Sequence, residues 1–104
     1  MKSVPYKPMV LPSVNSELKL YISKNKFYLF SGVIASIEYS LQHDLQSVEV
    51  FRFVDSDFII TLNEECFLEN LEHIYKSCME HEEFELCSKI KKLNLKLIKK
   101  YEKT

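Results

Sequence analysis

The sequence predicts an α+β fold: a small antiparallel sheet in ββαββ order, followed by a C-terminal antiparallel helical hairpin. Three observations predict it. Apolar residues alternate over 17–23 and return as β-branched and aromatic clusters over 48–62, as half-buried strands require. From 64 to 103 they recur at i, i+3 and i+4, as amphipathic helices require. Conformational punctuation is sparse, with one glycine (Gly32) and three prolines (Pro5, Pro8, Pro12) in 104 residues.

In chain order, residues 1–15 form an extended arm, because the three prolines deny it regular hydrogen bonding. Its apolar residues Tyr6, Met9, Val10 and Leu11 suit it to lie along its own domain, or alternatively to be exchanged or docked. Residues 16–104 make a single α+β domain. In ELKLYIS (17–23), Leu18, Leu20 and Ile22 share one face of a strand. Lys24-Asn25 turns the chain into a second strand, KFYLF (26–30). A helix from Glu17 capped by Ser16 is the alternative there. Ser31 reads as the cap of a helix over 32–45, with Val33, Ile34, Ile37, Leu41 and Leu45 on its apolar face. VEVFRFV (48–54), the turn Asp55-Ser56-Asp57 and FIITL (58–62) form a β-hairpin. Asn63 caps the next helix, with Glu64 and Glu65 favourable in its first turn. The apolar stripe Phe67, Leu68, Leu71, Ile74, Tyr75, Cys78 and Met79 breaks at His81-Glu82-Glu83. It resumes with Phe84, Cys87, Ile90, Leu93, Leu97, Ile98 and Tyr101. Two such helices joined by a short polar turn lie antiparallel.

Composition narrows the function classes. Hydrophobic residues make up 46% and charged residues 28%, a globular balance that needs no staples for its core. One glycine leaves no glycine-rich phosphate cradle. Three cysteines, Cys66, Cys78 and Cys87, lie among apolar helical positions and read as reduced thiols of a cytoplasmic protein. The N-terminus lacks the apolar run of a signal peptide, and no segment approaches a membrane span. The net charge of −1 selects neither nucleic acid nor membrane. Small size and lysine-heavy usage, with Arg52 the lone arginine, suit an accessory protein of a phage or mobile element.

The charge is polarised within the hairpin. Residues 64–85 carry Glu64, Glu65, Glu69, Glu72, Glu80, Glu82, Glu83 and Glu85 against Lys76, net −7. Residues 86–104 carry Lys89, Lys91, Lys92, Lys96, Lys99, Lys100 and Lys103 against Glu102, net +6. The first reading is intramolecular, with glutamates of one helix and lysines of the other flanking their seam. Contact with a charged protein partner is the second. Lysines on nucleic-acid phosphates are the third, opposed by the neighbouring glutamates and by the absence of arginine from the helix.

Within residues 75–92, the small Cys78 with Met79, the turn, Phe84-Glu85, the small pair Cys87-Ser88 and then Ile90 resemble the UVR motif. That motif is the helical hairpin of the UvrB and UvrC excision-repair proteins and of Clp-associated adaptors. Lys91-Lys92 stand where the motif has Arg-Asp, so its acidic member is lost. The resemblance implies small residues that let the helices approach, a phenylalanine plugging the turn, and a protein-contact element rather than repair chemistry.

A search for chemistry returns little. Cys78, His81 and Cys87 could converge at the turn, but there is no C-x-x-C pair, and no metal or other cofactor is expected. Cys66 begins a helix, which favours a thiolate, yet Glu64 and Glu65 oppose it. Asp55 and Asp57 are explained by turn formation. Tyr21, Phe27, Tyr28, Phe30, Phe51 and Phe53, interleaved with Lys19, Lys24, Lys26 and Arg52, could stack bases if a sheet left them open, but suit a covered sheet face better. The expectation is a non-enzymatic protein-interaction module, a small adaptor or inhibitor that forms a homo-oligomer and has no catalytic residue. Its partner-binding residues would be Tyr75, Met79, Glu82, Phe84, Glu85, Lys89 and Lys92. The alternative is a small nucleic-acid-binding protein using Lys91, Lys92, Lys96, Lys99 and Lys100, or the aromatic strand face.

Overall fold

The computed structural model describes residues 8–12, 16–54, 57 and 59–102. Pro5 and Tyr6 of the arm, Asp55 and Ser56 of the turn, Phe58 and Lys103 lie outside the described residues. Among the described residues the fold is α+β, with a three-stranded mixed sheet and four helices. In order these are β1 (Met9–Leu11), α1 (Ser16–Lys24), α2 (Lys26–Gln42), β2 (Ser47–Phe53), β3 (Ile59–Asn63), a 3-10 turn (Glu64–Cys66), α3 (Phe67–Glu80) and α4 (Phe84–Glu102).

The sheet order is β1-β2-β3. β2 and β3 are antiparallel, as a short connection allows. β1 is parallel to β2, with Met9 opposite Phe51 and Leu11 opposite Phe53, so α1 and α2 form the crossover that a parallel pair needs. The sheet is therefore mixed, and the expected ββαββ order is corrected in its N-terminal half. Part of the proline-containing arm is an edge strand, and the two segments expected as strands, 17–23 and 26–30, are helical.

The correction has a physical cause. Leu18, Leu20, Tyr21 and Ile22 fit a period of 2 and a period of 3.6 equally well over so short a window. The helix half-buries Leu18 and Tyr21, at i and i+3, and leaves Leu20 and Ile22 exposed. KFYLF is the first turn of α2: Phe27, Phe30, Ile34, Ile37 and Leu41 follow one another at helical spacing, with Ile34 and Ile37 in the main core and the others half-buried against it. Asn25 alone separates α1 from α2, its side-chain amide donating to the Tyr21 carbonyl at 2.9 Å. Ser31 is an internal residue rather than a cap, its hydroxyl donating to the Tyr28 carbonyl at 2.5 Å. The helix also ends earlier than expected, at Gln42. Gly32 is buried where β1 crosses α2, and a Cβ at this position would overlap the Met9 thioether.

β2 shows how one bulge sets a sheet face. The register steps from Glu49–Thr61 to Phe51–Ile60, leaving Val50 as the extra residue. Inward residues accordingly change parity, from Val48 and Val50 to Phe51 and Phe53. Val48 and Val50 join the main core with Phe67, Leu71, Ile74, Cys78, Cys87, Ile90, Leu93 and Leu97 of α3 and α4. Phe53 joins Leu11 and Leu29 in a smaller cluster, and Phe51 packs against both. The outer face presents Val10, Arg52 and Ile59 in one row across the three strands and Glu49 opposite Thr61 in the next. No aromatic lies in those rows, and Tyr21, Phe27, Tyr28 and Phe30 are helical, so the alternative of a stacking face of six strand-borne aromatics does not form.

Candidate functional site

α3 and α4 pack on each other and on α2 through small and apolar side chains. Leu71, Cys78 and Ile90 are completely buried between them. The connection is three residues, 81–83, closed as a Schellman turn: the Glu83 N–H donates to the Cys78 carbonyl at 2.8 Å and the Glu82 N–H to Met79 at 3.2 Å. The turn requires a left-handed residue, and Glu82 takes it at φ 59°. Asp44 does the same at φ 54° after α2, so two acidic residues occupy positions that favour glycine. His81 sits against Phe27 at a ring distance of 5.2 Å, with its Nδ1 2.9 Å from the Ser77 carbonyl, tying the turn to the start of α2.

At the other end, Lys100 reaches Asp44 at 2.9 Å and Glu64 at 3.4 Å, while the Tyr101 hydroxyl donates to the Glu64 carbonyl at 3.2 Å. The Asp44 carboxylate first, and Glu64 after it, holds the Lys100 ammonium above its ordinary range against the pull of desolvation. Burial, and then the Glu64 charge, raises the Tyr101 phenol.

Four large apolar side chains of the pair face solvent: Met79 (44% exposed), Phe84 (57%), Leu95 (63%) and Ile98 (42%). On α4, Phe84, Ser88, Lys91, Leu95 and Ile98 follow at steps of four, three, four and three, the spacing of a coiled-coil seam. On α3, Leu68, Glu72, Tyr75 and Met79 follow the same rule. Lys91 lies over the Tyr75 ring at 5.9 Å, and Tyr75, Met79, Phe84, Cys87, Ser88 and Lys91 line one shallow cavity of about 310 Å³. α4 thus carries an inner apolar stripe spent on the core and an open outer row that is apolar at Phe84, Leu95 and Ile98 and polar at Ser88 and Lys91.

Of the expected partner-binding residues, Tyr75, Met79 and Phe84 come together on this seam, and Phe84 stands out from the turn instead of plugging it. Glu82 and Glu85 are exposed at the turn. Lys89 and Lys92 instead line a groove of about 260 Å³ between α2 and α4, with Lys96, Glu38 and an apolar floor that includes Ile34 and Leu93. The alternative lysine set is divided: Lys91 lies on the Tyr75 side, Lys100 is tied to Asp44 and Glu64, and Lys92, Lys96 and Lys99 remain in a row with Lys89. Leu68, Leu95 and Ile98, which also lie on these rows, are not among the expected partner-binding residues. The second heptad of α4 was the signal available for Leu95 and Ile98, hidden because they neighbour core positions.

The helices do not neutralise each other as expected. Among the described residues, three ion pairs lie within 4.0 Å: Lys76–Glu72 inside α3, and the two of Lys100. Between the acidic segment 64–85 and the basic segment 86–104, only Glu64 and Lys100 pair within 4.0 Å among the described residues. Cys78 and Cys87 are core thiols, and burial first, then Cys87 and Glu83, pushes the Cys78 thiol up to about 11 from 9.0 against the pull of Lys26. Among the described residues no group of three or more Cys, His, Asp or Glu could hold a metal ion, and no helix is long and apolar enough to cross a membrane.

Compared with known protein families, with curated proteins and with solved structures, the chain matches none.

Proposed function

We propose that this protein is a non-enzymatic cytoplasmic interaction module, a small adaptor or inhibitor, whose contact element is the antiparallel hairpin of α3 and α4. One observation carries the reading: the outer stripe of heptad-spaced apolar residues, Phe84, Leu95 and Ile98 on α4 beside Met79 and half-buried Tyr75 on α3. Apolar residues scattered singly over a surface are ordinary, whereas a row along two packed helices has the form of a partner surface. The UVR-like residues 75–92 fall at the turn end of this row and agree with a contact role.

The test is affinity capture from nuclease-treated lysate, comparing the wild type with Met79→Ser/Phe84→Ser/Leu95→Ser. These positions are exposed, so the fold should survive, and captured protein should disappear with the variant. Equal capture by both would remove the seam from the account.

A second reading is favoured by the row Lys89, Lys92, Lys96 and Lys99, none of which has a carboxylate within 4.0 Å among the described residues. Such a row can follow a phosphate backbone. Oligonucleotide binding that weakens steeply with salt and is lost on lysine-to-glutamine replacement would establish it. No binding at low salt would end it.

A further inference from the structure

The charges beside the seam select its occupant. Glu65, Glu69 and Glu72 are exposed along the acidic helix and the turn before it, and Lys92, Lys96 and Lys99 along the basic one. Contacts of Tyr101 with Glu64 and of Lys91 with Tyr75 set the level of one helix against the other. Counted from them, Glu72 is level with Lys92, Glu69 with Lys96 and Glu65 with Lys99. Among the described residues, none of the six meets an opposite charge of the other helix within 4.0 Å; the one ion pair among them joins Glu72 to Lys76 in its own helix.

We infer that a second copy of this chain covers the seam, forming a twofold four-helix bundle whose symmetry axis runs along the helices. The inference rests on the reading of the seam as a protein-contact surface. With that axis, α3 of each copy lies on α4 of the other, running antiparallel, so all neighbouring helices are antiparallel as in an up-and-down bundle. The acidic helix of each copy meets the basic helix of the other, twice by symmetry. The second copy's Met79 comes level with Phe84, and its Leu68 with Leu95 and Ile98, so apolar residues meet between the charged flanks. A twofold axis across the helices would set acidic on acidic and basic on basic, and like-charge juxtaposition disfavours it. The charge polarity left unsatisfied within one chain is satisfied in this dimer.

Two variants test it by native mass spectrometry and sedimentation at low salt. Lys92→Glu/Lys96→Glu/Lys99→Glu makes both flanks of the seam acidic, and Glu65→Lys/Glu69→Lys/Glu72→Lys makes both basic. Wild type should be a dimer, and each variant alone should dimerise about 100-fold more weakly or not at all. An equimolar mixture should form the heterodimer, and a chain carrying all six replacements should dimerise again. Recovery in the mixture also shows that both variants are folded. Wild type that stays monomeric at high protein concentration overturns the inference, as do variants that dimerise unchanged or fail to pair. A monomeric wild type whose lysate capture still depends on Phe84 and Leu95 would leave the contact reading standing with another protein as occupant. Loss of capture dependence as well would remove both. A monomer whose lysine variant loses oligonucleotide binding would identify nucleic acid as the partner and likewise overturn the inference.

Discussion

The α3–α4 pair and helix α1 are amphipathic pieces of the same chain with opposite relations to its core. α3 and α4 each contribute a row of fully buried residues, with Leu71, Cys78 and Ile90 at zero exposure. In α1, none of the side chains described, 18–24, is fully buried, and Leu20 and Ile22 face solvent. A helix of nine residues cannot hold itself together by propensity, and α1 depends on the few contacts of Leu18 and Tyr21 with the smaller cluster around Leu11, Leu29 and Phe53. The difference teaches where stability and open apolar surface reside: the C-terminal pair has apolar side chains enough for a core and for an exposed outer row.

Substitutions that separate the two regions should differ most. Ile90→Ala, at a completely buried position of the main core, should cost about 2–5 kcal/mol, a large fraction of the stability of a domain this size. Urea unfolding followed by circular dichroism would measure it, and a loss below about 1 kcal/mol would mean that the pair is less tightly packed than described.

Alkaline pH should act next, and on the same core. The Cys78 thiol is raised in the folded state, so native structure favours its neutral form. That contribution is fully present below the ordinary value of 9.0 and is lost as pH climbs through about 11. The loss should be on the order of 2 kcal/mol, with raised Lys100 and Tyr101 adding in the same direction. Urea midpoints measured from pH 8 upward should fall, and less steeply for Cys78→Ala. In the native protein near pH 8, a thiol reagent should label partly exposed Cys66 well before Cys78 and Cys87. Equal rates would contradict the burial.

Smaller and opposite in sign is the turn that joins the pair. Glu82→Gly should stabilise the protein by about 1 kcal/mol, because glycine adopts the left-handed conformation that glutamate holds at φ 59° without steric cost. A loss of stability would show that the Glu82 side chain makes a contact worth more than this strain. Smallest of all, Leu20→Ala in α1 should change stability by less than about 0.5 kcal/mol. A cost like that of Ile90→Ala would erase the distinction between the two regions.

How legible each region was follows from the same contrast. α3 and α4 are long, and their inner stripes repeat over several turns, so the sequence alone places both helices and the turn at 81–83. The β2–β3 strands are likewise marked by Val48, Val50, Phe51 and Phe53. Residues 17–30 were misread because Leu18, Leu20 and Ile22 alternate by coincidence within a seven-residue window, and because Ser31 and Gly32 look like a break. Gly32 is there for another reason, the passage of Met9 over the helix. That passage joins residues distant in the chain, and β1 was missed for the same cause: its partner is β2, beyond two helices. On the proposed contact surface, Tyr75, Met79 and Phe84 were singled out from the turn, whereas Leu95 was not, since a second row on a helix is visible only once the first has been assigned to the core. Charge counting located both signs and missed their direction, because levels along a helix are written in the sequence and the outward turn of each side chain depends on what the helix packs against.

That a second copy covers the outer seam is tested most directly by sedimentation equilibrium of the full chain beside Phe84→Ser/Leu95→Ser/Ile98→Ser. The account predicts twice the 12.3 kDa chain mass for the wild type and the single-chain mass for the variant, with unchanged helical circular dichroism. A single-chain mass for both proteins at every concentration, or a dimer for both, would contradict it.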